Sequence, residues 1–179
     1  MFDKILVAID PKEFNAVLVD QAIALASATD AHLKLISILT DYGEGAPPMF
    51  VYPGLTGYPP VMEDSLWQDY QERYETYTAK SLNTLRQLKA RAQSAGIETD
   101  TAQFLDSPGR AICDEAKSWS ADLVMVGSHG RKGLSEIFLG SVSNYVMHHA
   151  PCSVMIVHTH GAERETARPA DKLQKQVTV

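Results

Sequence analysis

The amino-acid sequence predicts an α/β fold in which a parallel sheet is covered by helices on both faces. Three observations predict it. Short apolar runs of strand length alternate along the chain with stretches of helical periodicity. The runs are continuously apolar, which is typical of strands buried on both sides. A segment containing glycines follows the fourth run and leads into a helix, as in sheets that bind ligands at their carboxyl edge.

The first elements are predicted to form a strand, a helix and a second strand. Lys4–Ile9 is a continuous apolar run, and it is followed by Asp10 and Pro11. An aspartate and a proline in this order are typical of a helix cap and first turn, and Glu13 would close a capping box. The helix is expected to end at Asp30. The next apolar run, His32–Leu39, is the second predicted strand. The apolar positions of the helix between the two strands include Phe14, Val17, Leu18, Ala22 and Leu25.

Residues 43–60 interrupt the alternation. They hold five of the nine prolines and four of the eleven glycines, so regular structure is not expected there. The segment also carries several apolar and aromatic side chains, which are unusual in a simple flexible linker. A loop of this length inside a compact domain is usually functional, so we interpret residues 41–62 as an inserted loop that is a candidate for binding a protein partner.

The second half is predicted to contain three helices and three strands. A long helix spans residues 63–95 and ends at Gly96. A strand covers residues 98–105, and Ser107 caps a short helix that begins with Pro108. Strands at residues 121–126 and Ser153–His158 flank the helix opened by Ser141, and residues 159–179 are expected to be a polar tail. The side chains predicted to pack inward from the helices are Trp67, Tyr70, Tyr74, Tyr77, Leu85, Leu88, Ile112, Cys113 and Ala116.

Length, charge and cysteine content limit the class of protein. At 179 residues, with 45% apolar residues, the chain can form one domain with a sizeable core. The net charge of −6 argues against a general nucleic-acid surface. Two cysteines, an N-terminus unlike a signal peptide and the lack of an apolar run of about 20 residues favour a cytoplasmic protein without a membrane span.

The segment 127–141 has the chemistry of a phosphate-binding loop. Glycines at 127, 130 and 140 let backbone N–H groups approach a ligand closely, and Ser141 adds a hydroxyl at the start of a helix. The segment contains neither the G-x-G-x-x-G fingerprint nor the G-x-x-x-x-G-K-[ST] motif, so both of the common nucleotide loops are excluded. The spacing present is G-2x-G-9x-G-S.

Four consecutive stretches of the chain resemble the universal stress protein family. They are residues 122–130, 139–143, 149–152 and 154–157, and the spacing G-2x-G-9x-G-S joins the first two. The opening strand, which ends at Asp10, also resembles the first strand of the family. The resemblance covers about residues 1–158 and leaves out the inserted loop and the tail. Ala8 and Lys12 depart from the family, which usually has a proline and often a serine at these positions.

This resemblance implies an ATP-binding member with a fold similar to the adenine nucleotide α-hydrolases, in which a five-stranded, doubly wound parallel sheet has the order 3-2-1-4-5. It implies ATP or AMP as ligand, with Mg²⁺ as the cation that would accompany the phosphates. It also implies a homodimer that pairs through the last strand, between Val154 and Val157. The base and ribose contacts would fall on Ala8, Ile9, Asp10, Ile38 and Val126, and the phosphate contacts on Gly127, His129, Gly130, Gly140, Ser141, Val142 and Ser143.

Simpler interpretations of single residues remain open from the sequence. Asp10 either contacts ribose hydroxyls or the adenine edge, or only caps the first helix. Arg131, together with Lys132, either reaches the β- and γ-phosphates or is merely solvated. His129 either donates to phosphate or is an exposed loop histidine. The remaining histidines lack the cysteine and carboxylate partners typical of a metal site.

Three hypotheses on function follow. The first is a regulatory protein of the stress response that holds ATP and acts as a homodimer. The second is a slow ATPase or another nucleotide-hydrolysing enzyme, which the lack of paired carboxylates near the glycines makes less favoured. The third is a sensor of AMP or a cyclic nucleotide, or an interaction module that does not depend on nucleotide.

Overall fold

The computed structural model describes residues 1–10, 16–40, 64–128 and 139–158, and it contains five strands and four helices within them. The elements follow one another as β1 (Lys4–Ile9), α1 (Ala16–Thr29), β2 (His32–Leu39), α2 (Asp64–Ser94), β3 (Thr99–Leu105), α3 (Pro108–Ser118), β4 (Leu123–Ser128), α4 (Ser141–His149) and β5 (Ser153–His158). The residues predicted for the inserted loop, the tail and the capping box at 11–13 lie outside these ranges, as does Phe14.

The five strands form one sheet with the order β3-β2-β1-β4-β5, and every neighbouring pair is parallel. This confirms the doubly wound order 3-2-1-4-5. In the central pairs, Ile9 lies opposite Ser37 of β2 and Ala8 lies opposite Val126 of β4. The strands β3 and β5 are the two edges of the sheet.

Helices cover both faces of the sheet because alternate strand residues point to opposite sides. One face packs against α1 and α2 through a core that includes Ile5, Val7, Leu33, Leu35, Leu18, Ala22, Leu85 and Leu88. The other face packs against α3 and α4 through a second core that includes Leu6, Ile36, Ile38, Val124, Val126, Ile112, Ala116 and Val146. The inward-facing residues predicted for α3 are therefore confirmed.

Several helix ends have local causes in the sequence. Asp30 has a φ of 56° directly after α1, and Gly96 has a φ of 81° just beyond α2. Left-handed backbone at these positions stops a right-handed helix. Ser107 occupies the cap position of α3, but its hydroxyl makes no capping hydrogen bond. The prediction that Ser107 is the cap residue and that Pro108 opens the helix is therefore confirmed, and Ser107 also donates its backbone N–H to the Asp106 carboxylate at 2.5 Å.

Two predictions need correction. The strand expected at 121–126 lies at Leu123–Ser128, because Gly127 and Ser128 pair with Val157 and His158 of β5. The stripe on α2 is buried only in its second half: Leu85 is 2% exposed, whereas Trp67 is 47% exposed. Among the side chains described on α2, complete burial begins at Ser81.

The amino-terminal ends of β1 and β4 are joined by one carboxylate. Asp122 Oδ2 accepts hydrogen bonds from the backbone N–H groups of Asp3 and Lys4, each at 2.9 Å. The Asp122 backbone N–H donates to the Lys4 carbonyl at 2.9 Å. These bonds fix the register of the two central strands, which in turn aligns their carboxyl ends.

None of the helices in the described ranges is long and apolar enough to cross a membrane.

Candidate functional site

The strand order reverses between β1 and β4, and this point defines a crevice at the carboxyl edge of the sheet. After β1 the chain continues to α1 on one face, and after β4 it continues to α4 on the opposite face. The two connections therefore diverge and leave an opening between the two strand ends. Parallel α/β sheets bind ligands at such points.

Asp10 and Gly127 lie on opposite sides of this crevice. Ala8 pairs with Val126, so Asp10 lies two residues beyond that pair on β1 and Gly127 one residue beyond it on β4. Neighbouring strands are about 5 Å apart, so the carboxylate of Asp10 and the backbone at Gly127 belong to one small site. Asp10 is half-buried, and part of its surface is open to a ligand.

The start of α4 supplies hydrogen-bond donors to the same crevice. Gly140 is the cap residue, in extended conformation, and its carbonyl accepts a hydrogen bond from the Asn144 N–H at 2.9 Å. The N–H groups of residues 141–143 precede that bond and are not used by the helix ladder. Together with the helix dipole, such groups favour an anion.

Ser143 connects α4 to the end of β4. Its Oγ donates to the Gly127 carbonyl oxygen at 2.7 Å, and the side chain is 3% exposed. This bond holds the first turn of α4 against the strand end. Of the other predicted phosphate contacts here, Ser141 is exposed and Val142 is half-buried.

The apolar residues predicted to contact a base lie at or near the carboxyl ends of β1, β2 and β4. Ile9 is 3% exposed, Ile38 6% and Val126 2%, and all three belong to the two cores. Ala8 is half-buried and packs against the second core. Their side chains are thus mostly occupied by the sheet's own packing. His129, Gly130 and Arg131 lie outside the described residues.

Two groups near the crevice were missed by the sequence reasoning. Ser128 Oγ lies 2.9 Å from His158 Nδ1, so a hydroxyl and an imidazole meet where β4 and β5 end. Tyr77 of α2 is the second: burial raises the pKa of its phenol, the charge of Asp10 raises it further, and a hydrogen bond with the Thr40 backbone lowers it. The sequence could have suggested the first pair only once the strand register was known.

The two cysteines are free thiols. Burial raises the pKa of Cys113 and of Cys152, and the negative charges of Asp114 and Asp122, respectively, add to the effect. Cys113 is buried in the core, as predicted, and Cys152 is half-buried. Thiols with raised pKa values are poor nucleophiles at neutral pH.

The described residues fit a mononucleotide better than a metal ion. Backbone donors at α4 suit phosphate oxygens, and the carboxylate at β1 suits the hydroxyl or amino groups of a nucleoside. Over the described ranges, no three His, Cys, Asp or Glu side chains are grouped closely enough to hold a metal ion. The fold and the crevice therefore define a doubly wound α/β protein with a candidate ligand site at the point where its strand order reverses.

Comparison with known proteins identifies the family. The profile of the universal stress protein family matches residues 1–158. Universal stress protein Sll1388 of Synechocystis sp. is 35% identical over 156 residues, which cover 87% of this chain and 97% of that protein. The chain belongs to the universal stress protein family.

Solved structures show the same fold. The universal stress protein UspA from Lactobacillus plantarum has a TM-score of 0.65 at 20% identity and covers 87% of this chain and 97% of its own. Three other similar structures are nucleotide complexes. They are an Archaeoglobus fulgidus protein with dAMP (TM-score 0.56, 18% identity, 87% and 98% covered), an Arabidopsis thaliana protein with AMP (0.55, 18%, 94% and 97%), and a universal stress protein with cAMP (0.56, 22%, 88% and 98%).

Proposed function

We propose that this protein is a regulatory universal stress protein that binds ATP in the crevice between β1 and β4. The observation that carries the proposal is the 2.7 Å bond from Ser143 to the Gly127 carbonyl, which places the donor-rich start of α4 beside the end of β4 and across from Asp10. The nucleotides named for the similar structures, AMP, dAMP and cAMP, all share an adenine nucleoside with a phosphate. Such a ligand matches a carboxylate facing helix N–H groups.

ATP is proposed over a monophosphate because the glycine segment continues beyond the first phosphate position. In the family pattern His129 and Gly130 contact the phosphates, and the positive charge of Arg131 would reach the β- and γ-phosphates, with Mg²⁺ accompanying them. Hydrolysis of ATP needs a held metal ion, and over the described residues no three His, Cys, Asp or Glu side chains are grouped closely enough to hold one. We therefore propose that holding ATP, rather than hydrolysing it, is the main activity.

Calorimetric titration of the purified chain with ATP, AMP and cAMP tests this function. The variant Gly140→Leu should abolish binding, because its side chain would enter the space beside the first helix N–H groups. Asn144→Leu is the matched control, since it adds a similar side chain to an exposed position of the same helix. Absence of binding by the wild-type chain to all three nucleotides would refute the proposal, and phosphate release with ATP would show hydrolysis.

We further propose that two chains pair through β5. This edge strand exposes part of Val154, Met155 and Ile156, an unusual apolar content for an unprotected sheet edge. Pairing with the same strand of a second chain would cover them. Sedimentation analysis should show a dimer for the wild type and a monomer for Ile156→Asp; a wild-type monomer at micromolar concentration would exclude this dimer.

The free thiols Cys113 and Cys152 fit the reducing conditions of a cytoplasmic protein, which is the location we propose. Fractionation of cells that express the chain would test it.

A further inference from the structure

The helix α2 is fixed against the sheet next to the nucleotide crevice. Ser81 Oγ of α2 and Ser37 Oγ of β2 are 2.8 Å apart, and both residues are 1% exposed. Ser37 lies opposite Ile9, the last residue of β1. This buried hydrogen bond fixes the position of α2 along the strand direction. Ser81 lies across from the end of β1, which is followed by Asp10.

Tyr77 lies one helical turn from Ser81, on the same face of α2. Because β2 and β3 are parallel, α2 must run back across the sheet, so its earlier residues lie nearer the carboxyl edge. Four residues correspond to about 6 Å along a helix, or about two residues along a strand. This places Tyr77 beside residues 39–40, at the carboxyl end of β2.

A second contact confirms this alignment. Gln103 of β3 lies opposite Ser37, and its Nε2 donates to the Thr78 carbonyl at 3.5 Å. The Thr40 backbone and the Asp10 carboxylate both act on the pKa of the Tyr77 phenol, which agrees with a position of Tyr77 at this end of β2. Tyr77 is half-buried, so part of the residue reaches the surface.

A phenol and a carboxylate at the same edge of the sheet match the chemistry of a sugar diol. An ionised carboxylate only accepts hydrogen bonds, whereas a phenol can donate as well as accept. Two neighbouring sugar hydroxyls can thus donate to Asp10 and accept from Tyr77 at the same time. We infer that Tyr77 is a specificity-determining residue that recognises, together with Asp10, the ribose hydroxyls of the bound nucleotide. This inference rests on the proposed nucleotide binding.

Nucleotide analogues separate a sugar contact from a structural role. Wild type, Tyr77→Phe and Tyr70→Phe would be titrated with ATP, 2′-deoxy-ATP and 3′-deoxy-ATP by calorimetry. Tyr70→Phe is the matched control, because it removes a phenol hydroxyl two turns earlier in the same helix and keeps the ring that stacks on Tyr74. We expect Tyr77→Phe to weaken ATP binding about two- to tenfold, and to have a smaller effect on the analogue that lacks the contacted hydroxyl.

The outcomes are distinguishable. If the wild type binds no nucleotide, the proposed function fails and the inference fails with it. If the wild type binds ATP but Tyr77→Phe binds it equally well, or loses the same factor for ATP and both analogues, only the inference is overturned. An alkaline absorbance titration of wild type minus Tyr77→Phe gives the phenol's own curve. Asp10→Asn should move this curve to lower pH, and an unmoved curve would contradict the pairing of the two side chains.

Discussion

The contact between α3 and α4 depends on the absence of a side chain at Gly109. A Cβ at this buried position would lie 2.7 Å from Cδ1, 2.9 Å from Cγ and 3.0 Å from Cβ of Tyr145. The Tyr145 ring is 38% exposed and can swing outward, but only by giving up its stacking on His149, where the ring centroids are 4.1 Å apart. Its Cβ can move only with the backbone of α4. Gly109→Ala therefore forces either the ring or the helix to shift.

Opposing effects set the magnitude of this change. Overpacking costs about 1–3 kcal/mol, whereas replacing glycine by alanine in a helix gains at most about 1 kcal/mol. We expect Gly109→Ala to lower the free energy of unfolding by about 1–2 kcal/mol, or the Tm by roughly 2–8 °C for a chain of this size. In a Tyr145→Ala background two of the three close atoms are gone, so the same substitution should be neutral or stabilising.

Urea unfolding followed by circular dichroism on the four proteins of this double-mutant cycle measures the difference. We expect the effect of Gly109→Ala on the free energy of unfolding to differ by about 1 kcal/mol or more between the proteins with and without Tyr145. It is refuted if Gly109→Ala stabilises the otherwise wild-type chain, or if its effect is the same whether or not the tyrosine is present.

Three other perturbations follow from single contacts. Asp122→Ala removes the acceptor of two backbone N–H groups at the start of β1 and should lower the free energy of unfolding in urea by about 1–2 kcal/mol; an unchanged urea midpoint would show that water replaces it. Ser143→Ala breaks the bond to the Gly127 carbonyl and should cost about 1 kcal/mol of stability and weaken ATP binding, whereas Ser143→Thr should keep both; calorimetry measures the affinity. Since burial raises the pKa of Cys113 and Cys152, the folded state holds these protons more tightly, so stability is retained below the unfolded thiol value of about 8.5 and falls as the pH rises above it. Alkylation followed by mass spectrometry should accordingly be slow at neutral pH in the native protein and fast in urea, and equal rates would argue against raised pKa values.

The strands could be predicted where the apolar run ends abruptly in the sequence. His32–Leu39 and Ser153–His158 are bounded by polar residues or by a proline nearby, and their predicted bounds match the structure. The end of β4 could not be predicted this way. Gly127 and Ser128 have the local character of a loop, and they are strand residues only because β5 pairs with them. Pairing between distant segments leaves no local signal.

The candidate site was partly predictable for a similar reason. Asp10, Gly127 and Ser143 follow from topology, because parallel strands bring their carboxyl ends to one edge and α4 begins there. Tyr77 did not follow, since its place depends on how far α2 slides along β2. That distance is set by the buried bond between Ser37 and Ser81. Helical periodicity gave the face of α2 correctly but not which part of it the sheet would cover.

The incomplete coverage of α2 has a consequence for how the protein opens. The helix has 31 residues, about 46 Å, whereas the longest strand beneath it has 8 residues, about 26 Å. From Trp67 to Lys80 every side chain is at least partly exposed, and the anchoring begins at Ser81. Amide hydrogen exchange should therefore be graded along α2: the amides after Ser81 exchange only when the whole domain unfolds, and those before Tyr77 exchange through local fraying. A helix built in this way can loosen at one end while the other end stays folded.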